Sequence, residues 1–395
     1  MSCNGNSLRH YPLLLFSLGC FLINCSAESS SFDQAPKFDD WEQTSPEAAG
    51  IEPLVIDSIH QEILEGKYGL IDHFILIRKG KVVMDHHYEQ DYQSVIEKYD
   101  TTNHQYNYDH VAWHPYYKDT NLHTLQSVTK SVTSILLGIA ADQGKISEAS
   151  PVMSHFAAYD FDRSDARKMN MSIKDLLTMR SGIEWDEENY NEANNSCILM
   201  ENSQDWIQFV LNHPMDATPG SSFEYNSGAS VLLGKIVREI TGKRIDHWAE
   251  EKLFGPLGIE DYYWKFTPKG EIDTEGGLYL SAHDLARIGH LMLQKGKWGD
   301  QQILSEDWVD KSIQPTVAFG EERGYGYQWW VPKHMEGKAE IFAGNGYGGQ
   351  FLMVVPRYEL VLVFNGWNIH DQPEKSTWRV LQERILPAIQ AGTNN

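Results

Sequence analysis

Strand-like segments at both ends of the chain enclose a helical middle, and this order most constrains the fold. Residues 74–84 have the pattern of two strands around Gly80. Further strands are predicted at 325–331, 339–343, 350–355 and 360–364, whereas 127–294 is mostly helical. We therefore expect an α+β fold, with an antiparallel sheet of about five strands built from both chain ends, flanked by helices, and an inserted, mainly helical lobe at approximately 128–270. An active site is expected where sheet and lobe meet.

Capping residues mark the ends of three predicted helices. Ser172 stands before Ile173-Lys174-Asp175-Leu176-Leu177, and Ser281 with Asp284 precedes another apolar run. Both patterns are typical of helix N-termini, because the serine hydroxyl accepts a hydrogen bond from a free N–H group of the first turn. Gly242 follows an apolar helical segment and predicts its C-terminus.

Ser127 and Lys130 open the most apolar of the predicted helices. Residues 128–140 repeat apolar side chains at helical spacing, which predicts a buried helix. Side chains three apart lie on one helix face, so the Ser127 hydroxyl and the Lys130 amine can share a proton. Ser127 in the first turn also has a free N–H that could hold an oxyanion, and burial should lower the Lys130 pKa. Alone, the Ser-x-x-Lys pattern arises often by chance on helices and favours a helix cap and a solvated lysine over a nucleophile.

A second candidate lies in the turn Pro219-Gly220-Ser221-Ser222-Phe223-Glu224-Tyr225. A phenol beside an ammonium group has a lowered pKa, so Tyr225 near Lys130 would suit a general base toward Ser127 and an acid toward the leaving group. Without such a neighbour, a tyrosine in a loop is an ordinary packing residue.

Together these motifs resemble those of the serine β-lactamase-related superfamily. Four segments occur in the same order: LQSVTKS at 125–131, IKDLLTMRSGI at 173–183, PG with Phe223 and Tyr225 at 219–225, and GGL with SAHDLA at 276–286. The pattern is similar to class C β-lactamases, D-alanyl-D-alanine carboxypeptidases, family VIII carboxylesterases and 6-aminohexanoate-dimer hydrolases. The resemblance extends from about Trp41 to Pro387. It implies Ser127 as nucleophile, with Lys130 and Tyr225 as the proton-transferring residues, and neither metal nor cofactor.

Two departures bear on the substrate. Tyr225-Asn226-Ser227 stands where class C β-lactamases have Tyr-x-Asn, and the family's Lys-Thr-Gly or His-x-Gly strand motif is replaced by FAGNGYGGQ at 342–350. No cation is then provided there for a β-lactam carboxylate. Substrate or oxyanion contacts are assigned to five residues: Ser227, Asn345, Gly346, Tyr347 and Trp185.

The N-terminus has the features of an export signal. Arg9 and His10 precede an apolar run at 13–23 that is short for a membrane span, so residues 1–27 are predicted to be a signal peptide or lipoprotein leader, followed by a linker at 28–40 and a single domain at 41–392. Cleavage before Cys25 would leave a lipid-anchored cysteine, whereas cleavage after Ala27 would release the chain. The expected location is the bacterial periplasm, with or without a lipid anchor at Cys25.

Three of the four cysteines lie in this leader, so Cys197 has no partner for an internal disulfide. The net charge of −22 argues against nucleic acid and anionic lipid as partners. The oligomeric state is left open.

The segment 86–123 is unusually rich in histidine and tyrosine, with six and seven of each. Its only pair spaced i, i+4, His110 and His114, lies in a stretch without helical pattern, so a zinc site is not predicted there. Because the segment ends just before Ser127, we expect it to form a wall of the substrate pocket.

The predicted function is that of an exported serine hydrolase that cleaves ester or amide bonds of small molecules through a Ser127 acyl-enzyme, in the manner of a carboxylesterase or 6-aminohexanoate-dimer hydrolase. A β-lactamase or D-alanyl-D-alanine carboxypeptidase is one alternative. A catalytically silent cell-envelope binding or scaffold protein is an alternative of another class.

Overall fold

The computed structural model describes residues 41–91, 97, 120–190, 192–319, 323–332, 341–369 and 373–389. The predicted leader and linker, and most of the histidine-rich segment, lie outside these residues. The α-helices are α1 (Pro53–Leu64), α2 (Val128–Asp142), α3 (Ala166–Met169), α4 (Ile173–Leu177), α5 (Ser196–Glu201), α6 (Trp206–Asn212), α7 (Ser227–Thr241), α8 (Ile245–Ala249), α9 (Gly255–Leu257), α10 (Ala282–Leu293), α11 (Glu306–Ser312) and α12 (Thr377–Arg379). Single 3-10 or π-helical turns cover Val152–Phe156, Glu250–Phe254, Pro356–Tyr358 and Val380–Ile385.

The strands are mostly near the two chain ends. They are β1 (Ile71–Arg78), β2 (Lys81–His87), β3 (His123–Thr124), β4 (Tyr263–Trp264), β5 (Leu278–Leu280), β6 (Lys297–Trp298), β7 (Gln301–Gln302), β8 (Val317–Phe319), β9 (Arg323–Tyr325), β10 (Phe342–Gly346), β11 (Gln350–Val355) and β12 (Leu360–Gly366). None of the helices in the described ranges has the length and apolar character that a bilayer crossing requires.

The main sheet has five antiparallel strands in the order β10-β11-β12-β1-β2. Strands from the N-terminal and C-terminal parts of the chain meet inside this sheet, because β1 pairs with β12. The rings of Phe74 and Phe364 stack across this pair with centroids 4.8 Å apart. The predicted fold class is confirmed, including the origin of the sheet from both ends of the chain.

Both faces of this sheet are covered, which explains the continuous apolar run in β1. Ile75 and Ile77 belong to a core shared with the helical middle of the chain, whereas Phe74 and Leu76 belong to a second core with α1. Successive side chains of a strand point to opposite faces, so only an apolar residue at every position fills both layers.

Several local predictions agree with the structure. Ser172 and Asp175 form a reciprocal capping box at α4, Ser281 caps α10, and Gly242 ends α7 in the left-handed conformation. A side-chain cap of this kind stabilises a helix by about 1 kcal/mol. The capping pattern identified these ends because the contacts that form them are local.

Two predicted strands are placed differently. Residues 326–331 form a turn with isolated bridges rather than a strand, and only Arg323–Tyr325 before it is extended. The strand expected at 339–343 is Phe342–Gly346, and residues 333–340 lie outside the described ranges. The apolar composition of 325–331 reflects burial, since Tyr325, Tyr327 and Trp329 are core residues, and a buried turn resembles a strand in composition.

Candidate active site

Ser127 lies at the N-terminus of the buried helix α2. β3 leads through Leu125 into Gln126, whose backbone is left-handed with φ of 47°, and Ser127 is the N-cap residue that follows. A non-glycine residue in this region costs about 1–3 kcal/mol and persists only where the surroundings enforce it. The turn leaves Ser127 half-buried at the start of a helix that is otherwise fully enclosed to Ala140.

Lys130 is held directly against Ser127. Its Nζ donates a hydrogen bond to Ser127 Oγ at 2.9 Å, to the Glu275 carbonyl oxygen at 2.8 Å, and to Glu275 Oε2 at 3.1 Å. The side chain is 1% exposed. The ammonium group therefore has three acceptors in a water-excluded environment, one of which is the Ser127 hydroxyl.

Tyr225 completes the cluster from the turn before α7. The Lys130 ammonium lies 5.3 Å from the centre of its ring. The neighbouring Ser127 hydroxyl lowers the pKa of the Tyr225 phenol, against the effect of burial. The ring stacks on Trp330 with centroids 5.7 Å apart and meets Tyr325 edge-on at 6.3 Å. The structure thus brings together Ser127, Lys130 and Tyr225, which are far apart in sequence.

The protonation of this cluster differs from the sequence-based expectation. Burial lowers the Lys130 pKa, but electrostatic interactions with Tyr225, Glu275 and Glu187 outweigh it and raise the pKa well above its ordinary value. For Tyr225, burial dominates over the attraction of Lys130 and raises the pKa above that of a free tyrosine. The predicted lowering of both pKa values is therefore wrong. The acidic neighbours of Lys130, which the sequence did not reveal, raise its pKa, and burial raises that of Tyr225.

Glu275 is itself paired with a second buried carboxyl, that of Glu201. Burial and the Glu275 charge raise the pKa of Glu201 well above its usual range. Burial also acts to raise the pKa of Glu275, but Lys130 outweighs it and holds that pKa below the ordinary value of a glutamate. A hydrogen bond joins the two side chains. Glu201 is thus the protonated partner and Glu275 the ionised one, so the charge opposite Lys130 is retained.

Glu187 anchors the other side of the cluster. Its carboxylate accepts hydrogen bonds from Trp185 Nε1 (2.7 Å), the Tyr190 hydroxyl (2.5 Å), the Ser227 N–H (2.7 Å) and Ser227 Oγ (2.6 Å). Ser227 is completely buried and Trp185 is 7% exposed. The structure therefore directs both residues toward Glu187 and the core rather than toward an open pocket, contrary to the substrate contact expected of them.

The edge strand β10 lies against the start of α2. A side chain at Gly346 would clash with the Leu125 carbonyl at 2.4 Å, and one at Gly344 would meet Val128 at 2.8 Å. Only glycine at these two positions permits so close an approach. The strand backbone consequently passes directly beside Ser127.

Backbone N–H groups along β10 point alternately to its two sides, and this direction distinguishes the two candidate oxyanion residues, Asn345 and Gly346. Ala343 exchanges both backbone hydrogen bonds with Trp330, on the side away from β11. Backbone groups alternate along an antiparallel strand, so the N–H of Asn345 also points away from β11, and that of Gly346 points toward its partner Gln350. Within the described ranges, the N–H of Asn345, rather than that of Gly346, lies on the edge of β10 away from β11 without a backbone acceptor.

Tyr347 lies in the turn between β10 and β11 and is 41% exposed. Its hydroxyl donates to the Ile369 carbonyl at 2.9 Å, and its ring lies 5.7 Å from that of Tyr190. Since Tyr190 binds Glu187, this pair of rings forms an aromatic border on the Glu187 side of the cluster.

Sequence reasoning missed the two acidic residues that set the charge of the site. Glu275 immediately precedes the Gly276-Gly277-Leu278 motif, and Glu187 stands two residues after Trp185. Their positions beside identified motifs were visible, but no periodicity indicates that a carboxylate reaches a lysine 145 positions earlier.

Comparison with known proteins agrees with this arrangement. The beta-lactamase family profile matches residues 72–381. A 6-aminohexanoate-dimer hydrolase of Paenarthrobacter ureafaciens is 27% identical over 67% of this chain and 70% of its own length. An N-acetylmuramyl-L-alanine amidase of Bacillus subtilis is 22% identical over 62% of this chain and 67% of its own.

Solved structures share the fold at low identity. EstCE1, a hydrolase with promiscuous acyltransferase activity, superposes with a TM-score of 0.65 at 14% identity, covering 85% of this chain and 97% of its own. A family VIII carboxylesterase gives 0.61 at 16% identity, covering 85% and 95%. The resemblance inferred from the motifs is thus confirmed: this chain belongs to the beta-lactamase family of serine hydrolases, which act on ester or amide bonds.

Proposed function

We propose that this protein hydrolyses esters or linear amides of small molecules through an acyl-enzyme on Ser127, as a carboxylesterase or a 6-aminohexanoate-dimer-hydrolase-like amidase. The observation that carries the proposal is the contact of Lys130 Nζ with Ser127 Oγ at 2.9 Å, with the Tyr225 phenol beside the same hydroxyl. A nucleophile, a cation and an acid–base group thereby meet at one oxygen atom.

In the proposed reaction, Ser127 Oγ attacks the substrate carbonyl carbon while its proton passes to the Tyr225 phenolate oxygen. The oxyanion accepts hydrogen bonds from the N–H groups of Ser127 and Asn345. When the carbon–leaving group bond breaks, Tyr225 returns the proton to the departing alkoxide or amine. Water then attacks the acyl-enzyme, again losing its proton through Tyr225 and restoring the Ser127 hydroxyl.

Lys130 acts as an ammonium group in this scheme, rather than as the base. Glu275 keeps it charged, and the charge favours both the Tyr225 phenolate and the developing negative charge at Ser127 Oγ. Because the Tyr225 pKa is raised, the phenolate is a minor state at neutral pH. Activity should therefore increase with pH up to the ordinary phenol value of about 10 or beyond.

Two observations favour esters and linear amides over β-lactams. Residues 342–350, which replace the Lys-Thr-Gly motif, contain no lysine, arginine or histidine to bind a carboxylate. Ser227, which replaces the asparagine of Tyr-x-Asn, commits its hydroxyl to Glu187. A β-lactam carboxylate beside the buried carboxylates of Glu187 and Glu275 would also be repelled.

A substrate panel tests the proposal. The purified protein is assayed with p-nitrophenyl esters of increasing acyl length, with 6-aminohexanoate dimer and with nitrocefin, alongside Ser127→Ala. We expect turnover of at least one ester or linear amide and its loss in Ser127→Ala. Efficient nitrocefin turnover without esterase or amidase activity would contradict the substrate assignment. Full activity in Ser127→Ala would contradict the mechanism, and no turnover or acylation in folded protein would favour the silent scaffold.

We further propose that the chain is exported through residues 1–27 and reaches the periplasm, with Cys25 as a candidate lipid anchor. The apolar run at 13–23 and the sequence Leu22-Ile23-Asn24-Cys25 support this proposal. Intact mass of the mature protein from a bacterial host distinguishes the outcomes, because a diacylated Cys25, a free N-terminus after Ala27 and an uncleaved Met1 differ in mass. An uncleaved cytoplasmic product would contradict export.

A further inference from the structure

A cluster of two histidines and an aspartate lies on the sheet, separate from Ser127 and its partners. His73 is on β1, Asp85 is on β2, and His283 is in the first turn of α10. His73 Nε2 lies 2.8 Å from Asp85 Oδ1, and His283 Nε2 lies 3.0 Å from Asp85 Oδ2. Two imidazole nitrogens therefore approach a single carboxylate from different secondary-structure elements.

The spacing of these groups suits a small cation. One nitrogen or oxygen atom of each residue lies within 4.8 Å of the others. A tetrahedral zinc ion with bonds of about 2.0–2.1 Å requires its ligand atoms to be about 3.4 Å apart. The contacts to Asp85 need to widen by only a few tenths of an ångström to admit the ion between them.

The scaffold holds the three side chains in place while leaving one side open. β1 and β2 are joined by the tight turn at Lys79 and Gly80, and α10 packs on the same sheet. The side chains of His73, Asp85 and His283 are 15%, 26% and 34% exposed. A bound ion would thus have three protein ligands on rigid elements and a fourth position accessible to water, beside the exposed ring of His87.

We propose that His73, Asp85 and His283 bind a divalent transition-metal ion of the Zn²⁺ class, which cross-links the β1–β2 hairpin to the start of α10. Two imidazoles and one carboxylate select such an ion over Ca²⁺ or Mg²⁺, which take mainly oxygen ligands. The family resemblance had led us to expect no metal, and His73 and His283 are distant in sequence and form no motif that would have indicated one.

A second group of potential ligands, Cys197, Glu201 and Glu275, is less suitable. These residues are buried behind the active site, and Glu275 already receives the ammonium group of Lys130 at 3.1 Å. A metal ion there would have to displace or repel that charge.

Metal titration of the full chain tests the proposal. The protein is stripped with EDTA and dialysed, Zn²⁺ binding is followed by calorimetry, and Co²⁺ binding is followed by visible absorption. Wild type should bind one Zn²⁺ that is lost or weakened at least tenfold in Asp85→Asn and in His283→Gln. The matched control His247→Gln changes an exposed histidine elsewhere and should bind like wild type.

Thermal unfolding provides a readout independent of affinity. Zn²⁺ should raise the Tm of wild type and His247→Gln by several degrees, with little effect on Asp85→Asn and His283→Gln, since binding to the folded state alone stabilises it. Similar melting of all four proteins in EDTA would establish that the variants fold. Failure of wild type to bind Zn²⁺, or unchanged binding by both folded variants, would overturn the proposal.

Discussion

Two buried lysines in this protein differ in the groups that surround their ammonium nitrogens. Lys130 is 1% exposed and contacts the Glu275 carboxylate, whereas Lys168 is 3% exposed and donates to the carbonyl oxygens of Leu211 and His213 at 2.8 and 2.5 Å. The pKa of Lys130 is raised, but burial lowers that of Lys168, with only partial opposition from Asp162 and Asp165. Two lysines with little solvent exposure thus have opposite pKa shifts.

The comparison shows that the charge of a buried lysine depends on its partners. Backbone carbonyls satisfy hydrogen bonds without adding a full negative charge, so they offset desolvation less than a carboxylate does. At the active site the carboxylates keep Lys130 ionised. We infer that this ionised state, rather than a neutral amine, is what the reaction uses.

The largest expected effect is the loss of activity when Lys130, but not Lys168, is replaced by methionine. Lys130→Met should lower kcat/KM by about 10⁴-fold, because the charge that favours the Tyr225 phenolate is removed. Lys168→Met should retain wild-type activity within about twofold, since its ammonium group binds the carbonyl oxygens of Leu211 and His213 rather than Ser127 or Tyr225. Steady-state kinetics with the best ester or amide substrate measures both.

Stability must be measured alongside these rates. Lys130→Met leaves Glu275 buried without its cation and should cost about 3–5 kcal/mol, whereas Lys168→Met should cost about 1–3 kcal/mol. Far-ultraviolet circular dichroism and urea unfolding at the assay temperature establish that each variant is folded. Comparable losses of activity in two folded variants would remove the distinction between the lysines.

A somewhat smaller effect is expected for Tyr225→Phe. This variant keeps the ring that stacks on Trp330 but removes the oxygen that carries the proton, so kcat should decrease by about 10³-fold with little change in KM. The matched control is Tyr325→Phe, which alters a buried neighbouring ring. Equal effects of the two substitutions would indicate a packing role for Tyr225.

Glu275→Gln should shift the pH profile with a moderate loss of rate, on the order of tenfold. The Glu275 charge raises the pKa of both Lys130 and Tyr225, so its removal lowers both. Because the base is the deprotonated phenol, the acidic limb of kcat/KM should move to lower pH than in wild type. An unchanged profile in Glu275→Gln would contradict the proposed dependence on this carboxylate. Glu239→Gln, at a largely exposed site, serves as the control.

The smallest effect is the pH dependence of stability. The pKa of Lys168 is lowered in the folded protein, so its contribution to stability increases as pH rises from the folded pKa toward the unfolded value of about 10.4. The pKa of Lys130 is raised, so its contribution is complete below about 10.4 and is lost as pH rises through the folded pKa.

Urea unfolding of wild type, Lys130→Met and Lys168→Met at about pH 7 and about pH 9.5, both below the unfolded lysine value, measures this dependence. The advantage of wild type over Lys168→Met should increase between the two pH values. The advantage over Lys130→Met should remain constant. The same trend for both pairs would contradict the opposite pKa shifts.

Local sequence patterns predicted the parts of this protein that local contacts determine. The cap at Ser172, the helix end at Gly242 and the strand at 350–355 agree with the structure because the residues that form them are adjacent. The order of strands and helices also predicted the sheet. The fold followed from these patterns together with a resemblance extending over most of the chain.

The charge and orientation of the site residues could not be predicted from local sequence patterns. Ser227 faces Glu187, and Lys130 faces Glu275, through contacts between segments 40 and 145 residues apart in sequence. The spacing of Ser127 and Lys130 predicted their contact, but not the carboxylates that reverse the pKa shift expected from burial. The choice between Asn345 and Gly346 likewise required the pairing of β10 with β11 and Trp330.

Intact-mass spectrometry after reaction with a fluorophosphonate tests the central claim most directly. We predict one covalent adduct on the wild-type protein, located by peptide mapping at Ser127, and none on folded Ser127→Ala. Labelling should be fast in Lys168→Met and strongly slowed in Lys130→Met. An adduct on another residue, or equal labelling of Ser127→Ala, would contradict the assignment of Ser127 as the nucleophile activated by Lys130 and Tyr225.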